Sequence, residues 1–172
     1  MKEKTADGWR RGVVFVRELV PRRALTFVAN TLYGEHYQTL PMKHNWEQKD
    51  GELNVEYSWK TDRWHRFGVI AENGQLPIAV GSEEEFISEH YWGYTRINPQ
   101  MTKTYEVRHP RWKVYPVQSY TVEVDFANVY GNDFAFLNST TPYSVLLAEG
   151  SLISGGFGKT IKAPVATDRV TG

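Results

Sequence analysis

The 172-residue chain carries 20 Lys and Arg against 20 Asp and Glu, and this zero net charge argues against a strong electrostatic grip on nucleic acid or an anionic membrane. It has no cysteine, which excludes a disulfide scaffold, a thiolate metal site and a cysteine nucleophile. Six Trp, ten Tyr and eight Phe suit a sheet-rich protein with large flat side chains on its faces.

No stretch approaches 18 apolar residues, so no membrane-spanning helix is expected. The polar start, Met1 to Asp7, lacks the apolar core of a signal peptide. A cytoplasmic location is the default expectation.

The first apolar run, Gly12 to Leu19, reads as a strand buried on both faces. Val20-Pro21 stops it, and Pro21 suits a first helical turn. Ala24, Leu25, Val28, Ala29 and Leu32 then form one apolar stripe at helical spacing, predicting a helix over Pro21 to Tyr33 that faces the sheet. Gly34 suits the position just past its end.

Leu53, Val55, Tyr57 and Trp59 alternate with polar residues, the pattern of a half-buried strand. Thr61-Asp62 is a turn signal, and Arg63 to Ile70 should pair back as a hairpin. Asn73-Gly74 is a second turn signal. Ser82 and Glu85 form a capping box that starts a short helix, with Phe86 and Ile87 expected inward. Further strands are predicted over Tyr91 to Ile97, Thr104 to His109 and Ser119 to Phe126, with a last apolar run from Tyr143 to Ala148. After Leu152 the periodicity is lost, and residues 152–172 read as an irregular tail. About eight strands and two helices make an antiparallel-rich α+β or barrel-like domain over residues 8–151.

Several segments together carry a resemblance. They are Arg11 to Glu18, Ala29 to Tyr37 with Met42 after it, Glu84 to Tyr94, His109-Pro110-Arg111-Trp112, and Ser144 to Gly150. In order and spacing they resemble the YqjF-type family of uncharacterised bacterial proteins, a domain of unknown function within the acetoacetate decarboxylase-like superfamily. The resemblance implies a closed, cone-like β-barrel with a few flanking helices. Family members usually carry a further upstream segment, so the resemblance also implies an N-terminally incomplete barrel.

That superfamily's decarboxylase uses a lysine made nucleophilic by an apolar pocket and a cationic neighbour, a case that is itself a standard example of lysine activation. Here there is no lysine pair. Aligned on Glu35, the nucleophile position falls near Tyr37 or Gln38 rather than on Lys43, which reads as a solvated strand-end lysine. Glu35 and Tyr37 share one side of an extended segment, where an acid beside a phenol suits acid–base work or ligand anchoring. The bland alternative is a loop acid beside a core aromatic. Tyr94 and Arg96 share a strand face, and an inward Arg96 suits a ligand carboxylate, whereas its ordinary use is a surface ion pair. Arg108 to Lys113 is a basic, aromatic cluster that reads first as a polar turn. The five histidines show no metal-ligand spacing. Gly155-Gly156-Phe157-Gly158-Lys159-Thr160 has the wrong spacing for a phosphate loop.

The expected role is therefore binding of a small molecule, an organic acid by preference, with Glu35, Tyr37, Met42, Tyr94 and Arg96 as ligand-binding residues. No metal and no cofactor are expected, and no residue is assigned as catalytic. One alternative is a lyase or hydrolase using Glu35 as acid–base. The other is a structural subunit that pairs through an exposed strand edge, a homo-oligomer in the simplest case.

Overall fold

The computed structural model describes residues 2–6, 8–33, 36–156 and 158–162, with only the backbone of residues 32 and 33. Its strands are β1 (Lys2–Thr5), β2 (Gly8–Arg11), β3 (Val13–Val14), β4 (Glu18–Val20), β5 (Tyr37–Thr39), β6 (Met42–Lys49), β7 (Glu52–Lys60), β8 (Trp64–Glu72), β9 (Leu76–Pro77), β10 (Trp92–Asn98), β11 (Met101–Arg108), β12 (Lys113–Tyr115), β13 (Val117–Glu123), β14 (Leu147–Ala148), β15 (Ser154–Gly155) and β16 (Lys159–Lys162). Three short α-helices are α1 (Arg23–Val28), α2 (Glu83–Ser88) and α3 (Phe126–Tyr130).

The architecture is mostly antiparallel β with few helices. Its largest ladder is the antiparallel order β13-β8-β7-β6, in which β6, β7 and β8 are successive hairpin neighbours. A second sheet runs β15-β11-β10-β3, with β16 also on β11. Smaller sheets are β14-β12-β9, β1-β2 and the parallel pair β4-β5. Among the described residues no sheet closes on itself, so the expected closed barrel is not found: each strand order ends in two unjoined edges.

The run Gly12 to Leu19 is not one buried strand. It breaks at Phe15-Val16-Arg17 into β3, parallel to β10, and β4, parallel to β5. Val14 and Val16 are about half exposed. Arg17 explains the break: its Nη1 donates to the Val129 carbonyl at 2.6 Å, a cation on the carbonyl end of α3. The core lies nearby, where Leu40, Trp59 and Val129 are buried against Leu19, Met42, Val124 and Tyr130.

The predicted first helix divides into α1 and a π-helical stretch, Ala29–Tyr33. Asn30 of that stretch ties it to β5, accepting from the Tyr37 N–H at 2.8 Å and donating to the Tyr37 carbonyl at 3.0 Å. Ser82 caps α2 as predicted, accepting from the Glu85 N–H at 3.2 Å. Glu85 reaches back to Gly81 N–H instead of Ser82, and its other oxygen meets Arg111 at 2.7 Å. Phe86 and Ile87 are exposed rather than inward; the Arg11 guanidinium lies 4.2 Å over the Phe86 ring.

Beyond Leu152, β15 and β16 both pair with β11, so the stretch read as irregular adds strands as far as Lys162. The glycine-rich segment runs along this edge. A Cβ on Gly158 would stand 3.1 Å from the Thr104 carbonyl oxygen, so close approach to the β11 backbone explains its glycine better than a phosphate does.

Candidate functional site

Alternation divides the side chains of the β13-β8-β7-β6 sheet between two faces. Cross-strand partners Val55 and Val69, Tyr57 and Phe67, and Trp59 and His65 share one face. Val122 and Tyr120 join it opposite Phe67 and Val69, and His44 and Trp46 opposite Tyr57 and Val55. This face is apolar and aromatic. The other carries Lys43, Glu56, Ser58, Arg66 and Glu123.

On the apolar face, Pro142 and residues 144–147 pass over the strands. A cavity of about 370 Å³ lies between them, floored by Val55, Tyr57, Phe67, Val69, Tyr120 and Val122. The crossing segment is pinned at both ends. Ser144 donates to Glu83 Oε1 at 2.7 Å, and Leu147 enters the β12–β14 ladder opposite Tyr115. The trough remains open: Tyr57, Phe67, Tyr120 and Val122 are each 36% to 44% exposed. Trp46 Nε1–H donates to the Tyr57 hydroxyl at 3.1 Å, which fixes the ring and leaves the phenol hydrogen to donate elsewhere.

The polar face is organised by Arg66. Its guanidinium forks onto both oxygens of Glu123 at 2.7 and 2.8 Å and reaches Glu56 at 3.1 Å. The Arg66 hydrogen bond holds the Glu123 carboxyl below the usual carboxylate range. Lys43 lies 4.5 Å over the Trp64 ring beside a cleft of about 380 Å³. Acids and bases here largely satisfy one another.

At the end of this sheet, Thr61, His65 and Asp125 imitate a hydrolytic triad. The hydrogen directions forbid that chemistry. Asp125 offers its backbone N–H to His65 Nδ1 at 3.3 Å, so the ring hydrogen sits on Nε2 and is donated to Thr61 Oγ1 at 2.7 Å. The single Thr61 hydroxyl hydrogen has its own acceptors in Asn128 Oδ1 at 2.6 Å and Asp62 Oδ1 at 2.9 Å. A triad needs the opposite order, with Nε2 accepting the hydroxyl proton. The Asp125 carboxylate is engaged elsewhere, by Arg63, Asn128 N–H and Asn138. Those donors, the Asn128 amide first, hold it below the usual range. His65, 1% exposed and packed on Trp59 at 5.8 Å, is a satisfied core histidine.

The residues singled out from sequence are dispersed. Glu35 lies outside the described residues. Tyr37 lines a separate pocket of about 330 Å³ with Leu25, Val28, Ala29 and Tyr105, so these three residues of the helix stripe face a cavity rather than a filled core. Met42 packs against the Leu40–Trp59–Val129 cluster. Tyr94 is 0% exposed, and its hydroxyl donates to Glu3 Oε2 at 2.9 Å, the oxygen that Arg10 also holds at 2.9 Å. Burial, then that hydrogen bond, pushes the Tyr94 phenol up. Arg96 is exposed; β3 pairs with β10 only at Gly93 and Tyr94, and a bulge follows between Arg96 and Asn98.

The trough residues had a sequence signal. Tyr57 and Val55, Phe67 and Val69, and Tyr120 and Val122 occupy matching positions in three predicted strands, with the Tyr143 to Ala148 run to cover them. What the sequence lacked was the pairing of β13 with β8.

A family model matches residues 2–152. The chain belongs to the DUF2071 family. That family is described as an uncharacterised conserved protein, COG2071. No curated protein and no solved structure matches the chain. The matched span of DUF2071 includes every residue of the trough and its crossing segment. Among its described residues no helix is long and apolar enough to cross a membrane, and no group of three His, Asp or Glu is placed to hold a metal.

Proposed function

We propose that this DUF2071 chain binds a small, flat, largely apolar molecule in the aromatic trough. The observation that carries the reading is the set of half-exposed rings on one sheet face beneath a pinned crossing segment, around about 370 Å³ of space. Ligand cavities begin at roughly 300 Å³ and are lined mostly by apolar and aromatic groups with a few polar handles. Tyr57 supplies such a handle. An organic acid fits this reading if its apolar body lies on Phe67 and Tyr120 while its carboxylate accepts the Tyr57 hydroxyl hydrogen.

We carry membership of the acetoacetate decarboxylase-like superfamily as part of the same proposal, resting on motif order and spacing and not on a closed barrel. Its lysine chemistry is not part of it. Lys43 stands on the face opposite the trough, out of reach of a ligand there.

Titration with 8-anilinonaphthalene-1-sulfonate, a flat apolar anion, tests the site. Saturable fluorescence enhancement is expected, competed by benzoate and abolished by Tyr120→Asp, an exposed position whose change should leave the circular dichroism intact. Enhancement that survives Tyr120→Asp, or never saturates, would remove the trough as the binding site.

A further inference from the structure

The longest strand edge left unpaired among the described residues is that of β6. Its eight residues pair with β7 on one side only, and all but Met42 are exposed. Such an edge presents a row of backbone donors and acceptors to any strand that can align with it. Lys43, Glu47 and Lys49 make no ion pair with any described residue, so among those residues the charges that guard this edge have no opposite charge assigned to them.

Their spacing is self-complementary. Laid antiparallel on a second copy about a two-fold axis through Asn45, Lys43 faces Glu47 of the other copy, twice over. His44 then faces Trp46, and Met42 faces Gln48. An axis perpendicular to the sheet keeps each face continuous, so the ion pairs form on the polar face and the ring pairs on the aromatic one. Moving the axis one residue, to Trp46, sets Lys43 against Lys49 and turns attraction into repulsion. The charges therefore select one register. The opposite edge, β13, carries no such pairing: an axis through Thr121 sets Glu123 against Ser119.

We propose that two copies of this chain join through β6 in the Asn45-centred register, making one eight-stranded sheet whose aromatic face runs across both copies. Lys43, resting on Trp64, is already held on the face where the partner carboxylate would arrive.

Sedimentation velocity on the full chain tests this through charge reversal. The parent should be a dimer at tens of micromolar, and Lys43→Glu and Glu47→Lys should each be monomeric. The double variant, with both charges exchanged, should dimerise again. In the parent, amide exchange along β6 should slow as concentration rises. A parent that stays monomeric overturns the proposal. A dimer that survives both single reversals, a double variant that stays monomeric, or β6 exchange that ignores concentration overturns it too.

Discussion

At Gly12 the chain has no room for a side chain. A Cβ there would stand 2.3 Å from the Trp92 carbonyl oxygen and 2.6 Å from the Tyr94 ring. The first of these is backbone in the β3–β10 ladder and cannot swing aside, so Gly12→Ala should cost about 2 kcal/mol or more. Gly74 is the matched control, with nothing within 4 Å of its Cβ position, and Gly74→Ala should be within about 0.5 kcal/mol of the parent. Urea unfolding of the two variants measures the difference, and equal midpoints would mean that β3 does not lie on β10. A different solution holds at Gly93, where the Tyr105 ring occupies the space a side chain would take, 2.5 Å from the Cβ position. Tyr105 also stacks on Phe15 at 6.4 Å, so one aromatic ring covers a glycine and links β11 to the break after β3.

At the scale of elements, the two strands at the heart of the large sheet were readable because their periodicity and their burial agree. Leu53, Val55 and Trp59 are buried as alternation predicts, and the Thr61-Asp62 turn joins β7 to β8. The α2 cap was readable for the same reason: Ser82 and Glu85 act locally. Helix α3 was missed, although Asp125 before Phe126 and Gly131 after Tyr130, at φ +100°, are a cap and a stop. The alternating run from Ser119 masked them by continuing into Phe126. The stripe on α1 misled in the other direction, since periodicity reports a face and not what covers it. Val28 is 42% exposed, so Val28→Asp should change stability by no more than about 1 kcal/mol. Val129, 1% exposed beside Trp59 and Leu40, should cost on the order of 3 kcal/mol or more when changed to Asp. Thermal melts of the two variants test this ordering, and a Val28 variant as damaged as the Val129 variant would restore a filled core beneath α1. The dispersed candidates failed for a related reason. Tyr94 and Arg96 share a face by spacing, but Tyr94 is buried against Gly12 and bonded to Glu3, whereas Arg96, two residues on, is exposed.

Over the whole molecule, the chain is a set of small sheets whose partners are near in sequence in one place and far in others. The β6–β7–β8 meander closes through two short turns, whereas β3 waits for β10, about 80 residues further along, and Arg17 for α3, 112 residues on. Contacts between distant residues demand loop closure before they give anything back. The separation has a consequence for the order of assembly. The meander can form as soon as its residues exist, while the β1-β2 hairpin and β3 must remain undocked until β10 has been made. During synthesis these residues leave the ribosome before the meander does and would reach their places after it. Refolding followed by pulse-labelled amide exchange should show β7 and β8 protected in an early phase and β3 in a later one; simultaneous protection of all three would mean that the distant strand seeds the fold.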